Sequence, residues 1–334
     1  LVPLCHVRPL VNTAFNNKLI FLREVGGAKC LKAVLDEIIA LGKKSEFWGG
    51  TLIVDTEVPL TCPIVVPAEF TLAGVGINGG GRLVFSGDFG GVPAVSFQNS
   101  EGGHSTIRDL AIIGPRLPNK MAGVKIGSTD LIADDAKNPP GRFHLHRVRV
   151  TNFGVYGMQG GLNARHVTID SCQLIQNGVN IQLVRKCDGW RIRDTIVAEA
   201  GSWGVEIGVG VTIEKQEITG GATDVLISGC LFVGNTEGAV RVLDTGAENP
   251  TFGVFVFGKG FERNAGVALE IEPKGVGARL VANYLGEGMM FDSAIIPEDI
   301  SSKIKDPLEL NLGFNAVKPD LPMAETFNKL RTLV

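Results

Sequence analysis

A repeat dominates the middle of the chain. Between His144 and Glu272 a short apolar pattern recurs. Two apolar residues alternate with a polar one, and a second such pair begins three positions later, as in Val167, Ile169, Cys172 and Leu174. A turn and a further alternating strand follow most copies, as in Gly178–Leu183 and Ala239–Val242. The copies begin at Val148, Val167, Trp190, Val225 and Val254. A unit of roughly twenty-odd residues built from short alternating strands indicates a stacked solenoid.

The repeat predicts an all-β chain folded as a parallel β-helix. One coil of two or three strands cannot bury its inward side chains alone, so coils stack, and each strand pairs with its equivalent about 4.8 Å away in the next coil. A sandwich or antiparallel barrel would instead need tight hairpin dipeptides between partner strands. The Asn-Gly pairs at Asn78 and Asn177 fall inside the repeat, which favours the solenoid.

Composition excludes several classes of partner. The chain has 334 residues with 32 Lys and Arg against 35 Asp and Glu, a net charge of −3 that argues against nucleic acid. No apolar run approaches the roughly 18 residues of a membrane span, and no cofactor motif is present. The six cysteines lack metal-binding spacing, and a disulfide framework is not expected. Cys172 and Cys230 share one repeat position, with Thr195 between them, and are predicted to be stacked inward thiols.

Changes of pattern divide the chain into three segments. Residues 1–48 are predicted to be a lead-in and a capping helix, residues 49–290 the β-helix, and residues 291–334 a C-terminal cap or oligomer contact. Between Gly27 and Lys43 the apolar period becomes helical. The stripe consists of Leu31, Val34, Leu35, Ile38, Ile39 and Leu41. An amphipathic helix can cover the open end that every solenoid has.

The entrance to the β-region resembles a known superfamily. The helix is followed by Gly-Gly-Thr-Leu-Ile-Val from Gly49, a proline-bounded strand, Phe70–Gly76 and Gly81–Phe85. This order is similar to the pectate-lyase-like superfamily of right-handed parallel β-helices, which includes phage tailspike depolymerases. The resemblance implies a right-handed β-helix, a polysaccharide or oligosaccharide substrate, and a place outside the cell, on its surface or on a virion. The glycines from Gly74 to Gly81 are interpreted as tight corners rather than a phosphate loop.

The alternation of inward and outward residues indicates a candidate site on one wall of the β-helix, the outward face of one of its sheets. If Val205 and Ile207 point inward, Glu206 points outward. The same rule places Lys125, Gln182, Arg241 and Glu270 outward in one ladder. Neighbouring rungs about 4.8 Å apart would set Glu206 and Glu270 roughly 9–10 Å apart. This is the long end of the carboxylate separation in inverting glycosidases.

The ladder gives a hypothesis with assigned roles. Glu206 and Glu270 are predicted to be catalytic, and Arg241, Lys125 and Gln182 to bind substrate. An arginine between carboxylates would suit an acidic sugar or the developing charge of a lyase reaction. Alternating charges on stacked strands are also ordinary solvated β-surface, so that interpretation stays open.

A second, shorter resemblance involves one coil. Arg193–Ile207 is similar to the active-site coil of the inulin fructotransferases, which are trimeric β-helices. The resemblance implies Asp194 and Glu206 as a catalytic pair. An exposed apolar strip predicted at Leu226 and Phe255 would likewise suit burial between subunits, and a homotrimer is therefore expected.

The resulting hypothesis is a polysaccharide-cleaving hydrolase or lyase. An inulin-fructotransferase-like transferase is one alternative, and a non-catalytic structural or receptor-binding β-helix of a phage tail or cell surface is another. No metal site is predicted, because His144 and His146 share a strand face without an evident third ligand. The acidic run from Asp130 to Asp135 lacks the glycine and final glutamate of a calcium loop.

Overall fold

The computed structural model describes most of the repeat region and part of each end. The described residues are 19–42, 49–87, 89–98, 104–115, 117–127, 142–161, 164–184, 187–210, 212–213, 216–217, 222–243, 252–258, 260–264, 267–271, 278–282 and 313–314.

Three parallel sheets form the body of the molecule. The strands of the first sheet are Leu19–Phe21, Gly50–Val54, Phe70–Gly74, His104–Arg108, Arg142–His146, Arg165–Asp170, Asp188–Arg193, Thr223–Ser228, Phe252–Gly258, Ala278–Ala282 and Gly313–Phe314. Those of the second are Glu57–Leu60, Arg82–Phe85, Ala111–Ile113, Arg149–Thr151, Gln173–Ile175, Ile196–Ala198, Leu231–Val233 and Gly260–Glu262. Those of the third are Ile64–Val66, Val95–Phe97, Val124–Ile126, Tyr156–Gly160, Val179–Val184, Trp203–Val209, Gly238–Val242 and Val267–Ile271. Thr212–Ile213 and Gln216–Glu217 form a separate antiparallel pair.

Eight coils, from Gly50 to Ile271, contribute one strand to each sheet in the order first, second, third. Leu19–Phe21, Ala278–Ala282 and Gly313–Phe314 add three further strands to the first sheet alone. Every strand of these three sheets pairs in parallel with the equivalent strand of the coil before or after it, as Val167 does with Trp190 and Trp190 with Val225. This is the predicted right-handed parallel β-helix, which is therefore confirmed. Crossovers between parallel strands of one sheet are right-handed almost without exception.

The register corrects one copy of the repeat. The copy predicted to start at Val148 starts at Phe143, because Phe143 pairs with Val167. Val148 instead lies at the following corner, where its backbone N–H meets the Cys172 thiol at 3.4 Å. The first and the second strand of a coil both contain alternating inward residues. The apolar spacing of the repeat can therefore be aligned with the second strand instead of the first, five positions too late in the sequence.

Inward side chains stack into a continuous apolar column. Its largest members include Trp190, Phe70, Phe85, Phe153 and Phe232, all fully buried. The Trp190 indole N–H donates to the Ala164 carbonyl at 2.9 Å, so its one polar group is paired. The amphipathic helix Leu31–Gly42 buries Leu31, Val34, Leu35, Ile38 and Leu41 against the same cluster. The predicted helix is thus confirmed, preceded by short 3-10 turns over Leu22–Val25 and Ala28–Cys30.

Left-handed residues turn the chain at two edges. The corner between the first and second sheets places Asp109, Arg147, Ser171, Asp194 and Gly229 at positive φ in successive coils. The corner between the second and third does the same with Asn152, Gln176, Glu199, Gly234 and Arg263. Where coils approach most closely only glycine fits: a Cβ on Gly81 would overlap the Val54 carbonyl oxygen. The predicted corner role of that glycine cluster is confirmed.

Two stacks of polar side chains run inside the corners. Cys172, Thr195 and Cys230 are buried one above another, and the Cys172 N–H donates to the Thr195 hydroxyl at 3.3 Å. The predicted inward stack is confirmed, and Cys172 and Cys230 are free thiols. The second stack contains Asn177, Asn180, Asn235 and Asn264, all buried and bonded to carbonyls or N–H groups of adjacent coils.

Several predictions fall outside the described residues. These are the acidic run from Asp130 to Asp135 and most of residues 291–334. Within the described residues no helix has the length and apolarity needed to cross a membrane. Leu226 pairs in register with Phe255, as predicted, but Leu226 is only partly exposed. The trimer and the three-segment division remain predictions, although parallel pairing already begins at Leu19, before the helix.

Replacing Asn235 should destabilise the fold. Its side-chain oxygen accepts the Ala200 N–H at 3.1 Å, and its amide donates to the Val197 carbonyl at 3.2 Å. Asn235→Ala leaves these buried groups unpaired, so the free energy of unfolding should fall by about 2–4 kcal/mol. Urea unfolding followed by circular dichroism measures the loss. The exposed Asn78→Ala is the control and should stay within about 0.5 kcal/mol of wild type; an equally small effect for Asn235→Ala would contradict the assignment.

Candidate functional site

The outward face of the third sheet carries a continuous row of polar residues. Lys125 pairs with Gln159, Gln159 with Gln182, Gln182 with Glu206, and Glu206 with Arg241. Arg241 in turn pairs with Glu270, which settles the register of the last rung. The row runs along the β-helix axis, since each rung belongs to a different coil. The predicted order of the ladder is therefore confirmed, and Gln159, which the sequence analysis did not name, lies between Lys125 and Gln182.

Hydrogen bonds connect the middle of this row. The Gln159 amide donates to the Gln182 side-chain oxygen at 2.6 Å, and the Gln182 amide donates to a Glu206 carboxylate oxygen at 3.2 Å. Gln182 thus uses its side-chain oxygen toward Gln159 and its N–H toward Glu206. The orientation of the glutamines is fixed by the carboxylate at the end, which can only accept while it is ionised.

Glu206 lies in an environment that favours its neutral form. Its side chain is half-buried, and this loss of solvent raises the pKa of the carboxyl above its ordinary value of 4.5. The Gln182 hydrogen bond and the charge of Arg241 act in the opposite direction, whereas the charge of Glu237 raises the pKa further. The balance is an upward shift. An upward shift of this kind makes a carboxyl group better suited to act as a general acid.

An aromatic ring lies beside the row. Trp203, in the same strand as Glu206, is buried, and the Arg241 guanidinium lies 5.6 Å from its ring centre. Tyr156 and Val179 pair in register and form a small apolar cluster with Ala122 on this part of the third sheet. The contact with Trp203 orients Arg241. Sequence reasoning missed Trp203, because strict alternation would turn it inward with Val205.

Asp194 does not join this wall. It occupies a left-handed corner position, with φ of 47°, between the first and second sheets, whereas Glu206 belongs to the third. The predicted pairing of Asp194 with Glu206 is therefore not formed within the coil. Aspartate is among the residues that adopt the left-handed conformation most readily, which accounts for its presence at this turn. Glu237 is the carboxylate that the structure adds near Glu206, at the start of the next coil's strand.

A second polar area lies on the outward face of the first sheet. A depression of about 300 Å³ is lined by His104, Arg142, Phe143, His144, His166, Thr168, Gly189, Arg191 and Asp224. Its carboxylate, Asp224, is already bound to the Arg191 guanidinium at 2.6 Å. Among the described residues that line the depression, Asp224 is the one carboxylate, whereas the third-sheet row contains both Glu206 and Glu270. Beside it, His146 and Asp170 are 2.7 Å apart, and burial lowers the pKa of His144.

Comparison with known proteins yields structural likeness only. No protein-family model and no curated protein sequence matches the chain. Among solved structures, the enzymatically active domain of tailspike protein 2 of bacteriophage CBA120 is 12% identical over 81% of this chain, with a TM-score of 0.46. The mannuronan C-5 epimerase A-module of Azotobacter vinelandii is 13% identical over 80%, with a TM-score of 0.43. The catalytic domain of a GH87 α-1,3-glucanase is 12% identical over 90%, with a TM-score of 0.42.

Coverage differs among these structures. The match takes in 43% of the tailspike domain, 95% of the epimerase module and 68% of the glucanase domain. The chain therefore spans less than half the length of that tailspike domain. All three are parallel β-helix proteins, the class that the sheet pairing independently defines here. Identities this low describe architecture and carry no information about the reaction.

Neutralising Glu206 should change how stability depends on pH. Since its pKa is raised on folding, the folded chain holds this proton more tightly than the unfolded chain. The stability that the bound proton gives to the folded state is fully present below about pH 4.5. It is lost as the pH rises through the pKa of Glu206 in the folded chain. Glu206→Gln should therefore melt on the order of 1–2 °C above wild type at pH 8, with a smaller difference at pH 4.

Glu199→Gln provides the matched control for this measurement. Glu199 lies in the same coil, is exposed, and accepts a hydrogen bond from Gln176 one coil below at 2.8 Å. Gln176 holds the same left-handed corner position, so glutamine fits there. Thermal unfolding is followed by circular dichroism. The melting temperature of the control should differ from that of wild type by the same amount at pH 4 and at pH 8. An identical Glu206→Gln difference at pH 4 and pH 8 would rule out a raised pKa.

Proposed function

We propose that this protein cleaves a polysaccharide, by hydrolysis or by lyase-type elimination, on the outward wall of its third sheet. The observation that carries the proposal is the half-buried Glu206 with a raised pKa, placed between an amide donor and a guanidinium in one straight row. Its environment distinguishes it from the solvated charges of an ordinary β-surface.

The shape of the row supports an extended, hydroxyl-rich substrate. From Lys125 to Glu270 it covers five rung spacings, or about 24 Å along the axis. Each rung carries one ammonium, amide, carboxylate or guanidinium group, and such groups bind the hydroxyls of sugars or, where positively charged, their carboxylates. A linear glycan lying along the axis would meet them in succession. The entrance resemblance to the pectate-lyase-like superfamily points to the same substrate class.

The proposed roles follow from position and charge. Glu206 donates its proton to the oxygen of the bond being cleaved. Glu270, two rungs or about 9–10 Å away, takes a proton from the attacking water in a hydrolase of inverting type. Arg241 lies on the rung between them and binds a substrate carboxylate, or the negative charge that develops in an elimination. Lys125, Gln159 and Gln182 bind sugar units toward the N-terminal coils.

The setting of the protein belongs to the same proposal. Polymeric glycans are met outside cells, so we place the chain in an extracellular, cell-surface or virion context. Association into a trimer through the part of the first sheet that carries Leu226 and Phe255 would leave the third sheet, and the polar row on it, outside the interface. Nucleic acid and membrane surfaces are not among the proposed partners.

Activity against glycans is the direct test. Wild-type protein incubated with a panel of neutral and uronic-acid polysaccharides should release reducing ends. Absorbance at 235 nm reports the unsaturated product that only elimination gives. Glu206→Gln should lower the rate by about 10²–10⁴-fold, the usual contribution of a general acid. Glu199→Gln should retain wild-type activity. Absence of cleavage by wild type across both classes of glycan would instead favour a non-catalytic binding β-helix.

The pH profile tests the assigned proton separately. Gln182 donates to the ionised form of Glu206, so Gln182→Leu removes a contact that holds the pKa down. The alkaline limb of kcat/KM should therefore move to higher pH in this variant. Gln173→Leu is the control, because Gln173 bonds to Arg149 on the second sheet at 3.0 Å. A shift of the limb to lower pH, or an equal shift in the control, would contradict the role of Glu206 as the acid.

A further inference from the structure

Three side chains on the first sheet lie close together, although their proximity was not evident from the sequence. His144 and His146 lie in the strand Arg142–His146, two positions apart and therefore on the same outward face. Asp170 pairs with His146 from the next coil and stands directly beside it. One ligand atom from each residue lies within 4.8 Å of the other two. Asp170 is thus the third donor that was not evident from the sequence.

We propose that His144, His146 and Asp170 bind one divalent transition-metal ion. Two imidazole nitrogens and one carboxylate oxygen form a donor set that suits Zn²⁺ and its first-row neighbours, whereas Ca²⁺ and Mg²⁺ favour oxygen ligands throughout. Metal–ligand bonds of 2.0–2.1 Å require donors about 3.3 Å apart in a tetrahedral site. The distance between His146 Nδ1 and Asp170 Oδ2 is 2.7 Å, which is shorter than this separation. The ligand atoms of the three residues are at most 4.8 Å apart, which is longer than it. Small side-chain rotations therefore suffice.

The proposed ligands are partly exposed to solvent, so an ion can reach them and keep one coordination position open. The His146 and Asp170 side chains retain 31% and 28% of their exposure. Thr168, the rung after His144, is short, and together with His144 it lines the depression of about 300 Å³. With three protein ligands, the fourth position faces solvent and this depression. A water or an anionic oxygen can occupy it, as in metal sites that bind ligands.

The surrounding charges limit the range of ions that can bind. Arg108 pairs with His146 from the coil before, and Arg193 pairs with Asp170 from the coil after. Arg108 also contacts the carboxylate of Asp109 at 3.5 Å, which offsets part of its charge. His104 lies near His144. This positive setting disfavours a cation held by charge alone and selects one that binds imidazole nitrogen strongly, such as Zn²⁺, Ni²⁺ or Cu²⁺.

Calorimetric titration with Zn²⁺ tests the proposal. The protein, freed of any histidine tag and treated with chelator, should bind one Zn²⁺ per chain. His144→Asn and Asp170→Asn should each weaken binding by more than about 100-fold, since even the loss of an outer contact costs 10–100-fold. His104→Asn removes a neighbouring histidine outside the triad and should bind as wild type does. Circular dichroism confirms that each variant is folded.

A wild-type measurement makes the result independent of the variants. The electron paramagnetic resonance spectrum of the Cu²⁺-loaded chain should show hyperfine coupling to two imidazole nitrogens. Failure to bind Zn²⁺, binding that the triad variants leave unchanged, or a Cu²⁺ spectrum with fewer than two nitrogens would each overturn the site. Because these readouts need no substrate, they are independent of the proposed glycan cleavage.

Discussion

Parallel backbone pairing between equivalent strands is the interaction on which the whole molecule depends. It fixes the distance between coils and forces like positions to lie one above another. Stacked positions then share an environment, so apolar residues form a column, corner residues share the left-handed conformation, and outward residues form rows. Trp190 lies between Val167 and Val225 for the same reason that Glu206 lies between Gln182 and Arg241. Core and site are products of one register.

This dependence explains what the sequence could and could not predict. Alternation identifies inward and outward residues, and the repeat aligns coils, so the fold and the ladder from Lys125 to Glu270 were accessible. The first copy was misplaced at Val148 because a coil contains the inward spacing twice. Asp194 was named from a resemblance within one coil, which does not reveal that this residue occupies a corner between the first and second sheets. Trp203 was missed because the beginning of its strand departs from strict alternation. The pairing of Asp170 with His146 depends on a coil-to-coil register that the misplaced copy obscured.

The two polar walls differ in chemistry although the same scaffold presents both. On the third sheet, amides and a guanidinium surround a half-buried carboxyl, an arrangement suited to holding and releasing a proton. On the first sheet, imidazoles and arginines predominate, and the carboxylates are already paired. The proposed proton transfer and the proposed metal binding thus rely on residues of separate strands, so a substitution in one sheet need not disturb the other.

The thiol stack has a consequence for where such a chain can fold. Burial raises the pKa of both Cys172 and Cys230 to about 12, so neither is a ready thiolate nucleophile. Thr195 intervenes between them, which sets their backbones two rungs or roughly 9–10 Å apart, beyond the reach of a disulfide. Cys172 and Cys230 therefore stay free thiols in reducing and oxidising surroundings alike. The interior of the coil keeps the same covalent structure on either side of a cell envelope.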